Sequence, residues 1–185
     1  GNRIGGPISQ TIRVQSMYRL DVSRPKQREL IGGYLQYDFD FSKEDHKVNL
    51  QVRTDYAANP VNSDNFSRSS VAATYKYRYI KNKRSRWIEL RLFAGNYWNF
   101  DMYNSGNATD YGYALSGASG NQDAFLEDYF FGRSAQSGIW SQQRLENMGG
   151  FRSSIGNGKS GYFGTTTRWM TTANFYLETP IGPKI

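Results

Sequence analysis

Asp38, Asp40 and Glu89, set among Arg53, Arg78 and Arg91, are the residues whose types could do chemistry in this chain. Paired carboxylates whose proton affinities are pushed apart can act as general acid and general base. With arginines interleaved, the same set more simply describes a water-facing wall of mixed charge, and Asp55 belongs with it. His46 is the single histidine and lies in the charged run SKEDH with no partner at ligand spacing. Cysteine is absent, which excludes disulfides and leaves almost no route to a His/Cys metal site. No Gly-rich phosphate loop, nucleophile elbow or HExxH pair is present. The expectation is a segment without catalytic centre, metal or cofactor.

What must position the charges is a series of strands. In TIRVQSMYRLDV, Ile12, Val14, Tyr18, Leu20 and Val22 share one face while Arg13, Gln15, Arg19 and Asp21 share the other. The same period of two sets Leu35, Tyr37, Phe39 and Phe41 against Gln36, Asp38 and Asp40, and Val48, Leu50, Val52 and Tyr56 against Lys47, Asn49, Gln51, Arg53 and Asp55. It recurs in VAATYKYRY, in WIELRLFAGNYW and in WMTTANFYLET, where Thr74, Lys76, Arg78, Glu89, Arg91, Thr172 and Asn174 fall on the polar side. Short charged turns are predicted at SKEDH (42–46) and KNKRSR (81–86), and longer polar loops at 58–68, with Arg68 in that outer loop, and from 101 onward.

Two architectures use such a pattern. A soluble sandwich turns the apolar faces towards each other and has strands of about five or six residues. An outer-membrane barrel turns them to lipid, keeps the charges in a wet lumen and needs strands of about 9 to 11 residues. The runs here reach the barrel length, and aromatics gather near their ends at Phe39, Phe41, Tyr77, Tyr79, Trp87, Tyr97, Trp98, Phe100 and Trp169, as interfacial girdles do. With 16% aromatic residues and 19 glycines among 185 residues, the composition favours β-structure. The net charge of +7 is spread among acids rather than clustered, so no nucleic-acid partner is read from it. The fold class predicted is all-β, an antiparallel transmembrane barrel of outer-membrane type. Residues 1–185 would form part of its single domain, with outer-membrane lipid as the surrounding partner and 101–165 as a long extracellular loop folded into the lumen.

That loop holds FLEDYFFGRSAQSG (125–138), then GGFRSS (149–154) and a Gly-rich tract, and is followed by the strand RWMTTANFYLETP. Phe125, Tyr129, Phe130, Phe131, Trp140 and Phe151 ask for burial, which a solvated linker would not provide. The order of strand, polar loop, aromatic-acid-aromatic segment, glycine turn and strand resembles the outer-membrane protein 85 superfamily of barrel assembly and polypeptide translocation proteins. Glu127, Tyr129, Gly132 and Ser134 fall where that family's pattern expects them, and the resemblance covers most of residues 46 to 180.

The resemblance implies a lumenal loop whose arginine contacts acids of the inner wall. Here the second turn glycine is replaced by Arg133, and either Ser137-Gly138-Ile139 or Gly149-Gly150-Phe151 holds the motif position without its arginine. Arg133 or Arg152 would then supply the guanidinium to Asp38, Asp40, Asp55 or Glu89. Function follows the family: polypeptide translocation or membrane-protein insertion at the bacterial outer membrane, with a polypeptide substrate or accessory outer-membrane proteins as partners. FFGRSAQSGIWSQQ with GGFRSS is also similar to a branch in which the barrel follows a zinc aminopeptidase, so a membrane anchor for an enzyme is an alternative, and a soluble β-sandwich binding module is a second. Six long strands fall below the eight of the smallest single-chain barrels. Further strands, from either side of the chain or from other copies, are therefore predicted.

Overall fold

The computed structural model describes residues 7–20, 29–61, 63–80, 86–102, 112–115, 148–150 and 165–179. Those residues build six long antiparallel strands in one open sheet: β1 (Ile8–Leu20), β2 (Glu29–Lys43), β3 (His46–Ala58), β4 (Asn65–Ile80), β5 (Arg86–Asp101) and β8 (Trp169–Leu177), in the order β1-β2-β3-β4-β5-β8. A second, two-stranded sheet pairs β6 (Tyr113–Ala114) with β7 (Thr165–Thr166). No helix occurs among the described residues.

Each long strand has the alternation read from its sequence, and the register stacks the two kinds of face into continuous surfaces. Ile12, Tyr37, Val52, Val71 and Ala94 lie opposite one another across β1 to β5, and Ile8, Phe41, Val48, Tyr75, Leu90 and Phe175 make a second row across all six strands. Side chains so aligned meet their cross-strand neighbours, which is where sheets gain stability. The other side aligns Gln15, Tyr34, Asp55, Arg68 and Tyr97, and below them Thr11, Asp38, Gln51, Ala72, Phe93 and Thr172.

The two sides are packed in opposite senses. On the first, Val14 is 78% exposed, Ile12 69%, Trp169 67% and Phe175 65%. On the second lies the core: Leu30, Tyr34, Ala57, Phe66, Phe93, Tyr97 and Met170, joined by Met102 and Tyr113, with the polar groups Gln36, Asp38, Asp55, Arg68, Thr172 and Asn174 buried beside them. A soluble single sheet buries the apolar side and hydrates the polar one. This sheet does the reverse.

Several boundaries differ from the sequence reading. The β2–β3 connection is only Glu44 and Asp45, with Lys43 opposite His46, because the strand pattern runs to the very edge of a two-residue hairpin. Arg78 holds this turn, donating from Nη2 to the Glu44 carbonyl at 2.6 Å and pairing with Asp45 at 3.0 Å. Residues 58–68 are not one loop: β3 includes Ala58 and β4 begins at Asn65. Asn59 and Asp64 close the short connection through an amide-to-carbonyl bond of 2.7 Å. The polar stretch NFSRSS reads as loop by composition, yet it continues the period of two, with Phe66, Arg68 and Ser70 on the buried side. A bulge between Ser67 and Arg68 lets Trp98 stand without a β4 partner, its Nε1 donating to Ser69 Oγ at 2.9 Å.

Candidate functional site

Arg68 is the centre of the polar wall, not a member of an outer loop. It is 6% exposed and its Nε meets Asp55 Oδ2 at 2.6 Å, while Arg53 Nε meets Asp55 Oδ1 at 2.5 Å. One carboxylate thus bridges two guanidinium groups. Arg68 Nη1 also donates to the Tyr97 hydroxyl at 3.0 Å, and the Arg53 guanidinium lies 3.8 Å from the centre of the Tyr34 ring. Tyr34 in turn donates to Gln15 Oε1 at 2.9 Å. The network runs across β1 to β5 and depends on the register that sets Tyr34, Asp55, Arg68 and Tyr97 side by side.

Two pieces of the 102–168 connection dock on this wall. Tyr113 is 2% exposed and covers Gly95: a Cβ built there would come within 2.6 Å of the Tyr113 ring. Only glycine leaves room for that approach. The ring packs edge-on against Phe93 at 5.6 Å and Tyr97 at 5.0 Å, lies 5.3 Å from the Arg68 guanidinium, and its hydroxyl donates to the Ser69 carbonyl at 3.0 Å. Burial raises the Tyr113 phenol above its ordinary range, against the pull of the Arg68 guanidinium, so the group stays a neutral donor. The second piece is Gly149-Gly150. The Gly149 carbonyl accepts from Thr172 Oγ1 at 3.0 Å and Asn174 Nδ2 at 3.2 Å, and the Gly150 carbonyl accepts from the Tyr176 hydroxyl at 3.0 Å. Gly150 has φ +75°, and a Cβ on it would meet Arg91 Nη1 at 2.5 Å and Asn174 Oδ1 at 2.6 Å.

Of the wall residues named from sequence, Asp38, Asp40, Arg53, Asp55, Arg78, Glu89 and Arg91 all fall on the polar side of the sheet. They do not converge on one point. Asp38 takes Gln36, Gln51 and, at 3.3 Å, Arg13; Asp40 accepts from Asn49; Glu89 pairs with Lys76 at 2.7 Å. Each of these acids is thus met by a partner on the wall itself. Glu127, Tyr129, Gly132, Arg133, Ser134, Ser137, Gly138, Phe151 and Arg152 lie outside the described residues. Gly149 and Gly150 are the members of the loop motif that the structure places, and it sets them against β8.

Sequence reasoning missed Arg68 and Tyr113. The alternation of Phe66, Arg68 and Ser70 into VAATYKYRY was a signal for the first; nothing in the chain singled out Tyr113 from its neighbours. No group of acidic and histidine side chains able to hold a metal ion is found among the described residues. Comparison with protein-family models, with curated proteins and with solved structures finds no match. What defines the site is its geometry: a braced, charged and aromatic wall with the chain's own segments laid on it.

Proposed function

We propose that this sheet is part of the wall of an outer-membrane β-barrel with its polar side turned to the lumen, and that the 102–168 connection enters that lumen. The observation that carries the reading is the inverted burial: the exposed side is apolar and the side covered by the chain's own segments is charged. Contiguous apolar surface on this scale is rare on a soluble monomer. The dimensions agree as well. From Ile8 to Tyr18 on β1 and from Phe41 to Ile31 on β2, roughly ten residues at ~3.4 Å, tilted by about 40°, give about 26 Å along a barrel axis, against an apolar band of about 25 Å. Exposed Tyr18, Tyr56, Trp98 and Trp169 mark one end of that span and Tyr75 and Tyr77 the other. An open edge in lipid leaves N–H and C=O groups unpaired, so β1 and β8 require further antiparallel strands beside them.

Within that class, the order of elements favours a barrel of the outer-membrane protein 85 kind acting in polypeptide translocation or membrane-protein insertion. The support is the motif order around FLEDYFFGRSAQSG and a glycine pair that meets the wall of the strand that follows. Because the chain has no cysteine, single cysteines test the first step cleanly. Val14→Cys, Leu35→Cys, Val71→Cys, Leu92→Cys and Phe175→Cys should react in whole membranes with a lipid-soluble maleimide and not with a charged one. Equal reaction of all five with the charged reagent would show the apolar side in water and overturn the barrel, whereas a sandwich would bury that side and leave the membrane without detergent. Depleting the protein in its host tests the second step: other outer-membrane proteins should fall in abundance, whereas unchanged levels would favour the anchor reading.

A further inference from the structure

The turn end of the apolar side carries a cluster that neither packing nor the polar wall uses. Lys43 and His46 flank the Glu44-Asp45 turn, stand directly opposite each other and are both exposed. They share the outward side with Phe41, Val48, Tyr75 and Tyr77. The His46 ring stacks on Tyr75 with centres 6.1 Å apart and lies against Tyr77 at 5.1 Å, and its Nδ1 is 2.8 Å from the Tyr75 hydroxyl. With that hydroxyl donating to Nδ1, the ring proton sits on Nε2 and provides an N–H donor beside the Lys43 ammonium.

The Lys43 ammonium and the His46 ring N–H, directly opposite on one side of a strand pair, are donors that one anion between them would satisfy. No described carboxylate does so: Asp45 is held by Arg78 at 3.0 Å, Asp40 accepts from Asn49, and neither Lys43 nor His46 forms an ion pair with a described residue. The next row in from the cluster, Ile8, Phe41, Val48, Tyr75, Leu90 and Phe175, is apolar and partly or fully exposed, and beyond it Tyr37, Val52 and Val71 continue the apolar side along the strands. An anionic group with acyl chains attached fits both features, and a bare anion fits only the first.

We infer that Lys43, His46 and Tyr77 bind the phosphodiester of a phospholipid headgroup, in the leaflet at the short-turn end of the strands, an inference that rests on the membrane-barrel reading. Lys43 supplies the charge, His46 Nε2 and the Tyr77 hydroxyl donate to the phosphate oxygens, and Tyr75 fixes the imidazole. In outer-membrane barrels the short turns face the periplasm, so the site belongs to the periplasmic leaflet.

The test uses the full chain extracted from membranes in mild detergent, with phosphatidylglycerol added and bound lipid counted by native mass spectrometry. Lys43→Gln and His46→Gln should each cut lipid retention about fivefold, the scale set by one surface cation, while Lys43→Arg keeps it. Lys47→Gln, on the other side of the sheet at the same end, should change nothing. Excess inorganic phosphate should not displace the lipid. Equal retention in the wild type and both Gln variants, an equal loss with Lys47→Gln, or displacement by phosphate would each overturn the inference. Circular dichroism and heat-modifiable gel mobility separate misfolding from loss of the site, since a folded Lys43→Arg with wild-type retention still reports on the charge. Alkaline washing of the membranes distinguishes the two failures. A chain that washes off loses the barrel reading, whereas a chain that stays embedded with unchanged lipid retention loses only this site.

Discussion

Replacing Arg68 by alanine is expected to lower the stability of the sheet by about 3 to 5 kcal/mol, the cost of breaking one partner out of a buried ion pair. Asp55 is 3% exposed and would keep Arg53 alone, while the space beside Phe66, Tyr97 and Tyr113 that the guanidinium fills would be left open. Lys76→Gln is the matched control. It breaks the 2.7 Å pair with Glu89, whose members are 43% and 25% exposed, and a pair that open to water is worth about 0 to 1 kcal/mol. Midpoints of urea unfolding, or of heat-modifiable gel mobility for the membrane-extracted chain, give the comparison. If Arg68→Ala unfolds no earlier than Lys76→Gln, the Arg53–Asp55–Arg68 bridge is not what braces the wall.

The second large effect should come from a single methyl group at Gly150. A side chain at φ +75° costs about 1 to 2 kcal/mol, and crowding Arg91 and Asn174 adds about 1 to 3 kcal/mol. Both costs disappear if the segment leaves the wall, so Gly150→Ala should undock residues 148–150 rather than unfold the sheet. Thr172 is the reporter: it is buried beneath the Gly149 carbonyl it bonds, at 3.0 Å. In a Thr172→Cys background, Gly150→Ala should speed labelling by a water-soluble thiol reagent at least about thirtyfold, the factor for roughly 2 kcal/mol. Thr171→Cys, on the apolar side, should be unaffected. An unchanged rate at position 172 would mean that the glycine pair rests on β8 without being held there.

These two variants also separate the ways in which a loop can be attached to this wall. The family pattern suggested a loop arginine reaching wall acids, with Arg133 or Arg152 as the donor. Arg133 and Arg152 lie outside the described residues, and the attachment that the described ones make is another one. The wall supplies both arginines and acid, in Arg53, Asp55 and Arg68, and the connection supplies the Tyr113 ring and two glycine carbonyls. Arg68→Ala removes the wall's part of the Tyr113 contact, and Gly150→Ala removes the connection's part of the β8 contact. Release of the connection in one variant but not the other would show which anchor holds it to the wall.

The sequence by itself determined which residues share a side. A strand's side chains alternate because of the local geometry of the extended backbone, so Ile12 and Val14 part from Arg13 and Gln15, and Leu90 and Leu92 from Glu89 and Arg91, whatever lies next to them. The same local rule already carried Arg68, and composition misled because Asn and Ser are common in loops and say little about period. Tertiary structure alone decided which charges meet. Asp55 faces Arg68 because β3 and β4 pair in that register, and Tyr97 joins them because β4 and β5 hold one register from Arg78–Trp87 to Arg68–Tyr97, which ends at the bulge beyond it. Register depends on turn length and on bulges that no single strand encodes. The contacts of Tyr113 with Gly95 and of Gly149 with Thr172 bring together residues far apart in the chain, and only the folded sheet holds the surfaces they fit.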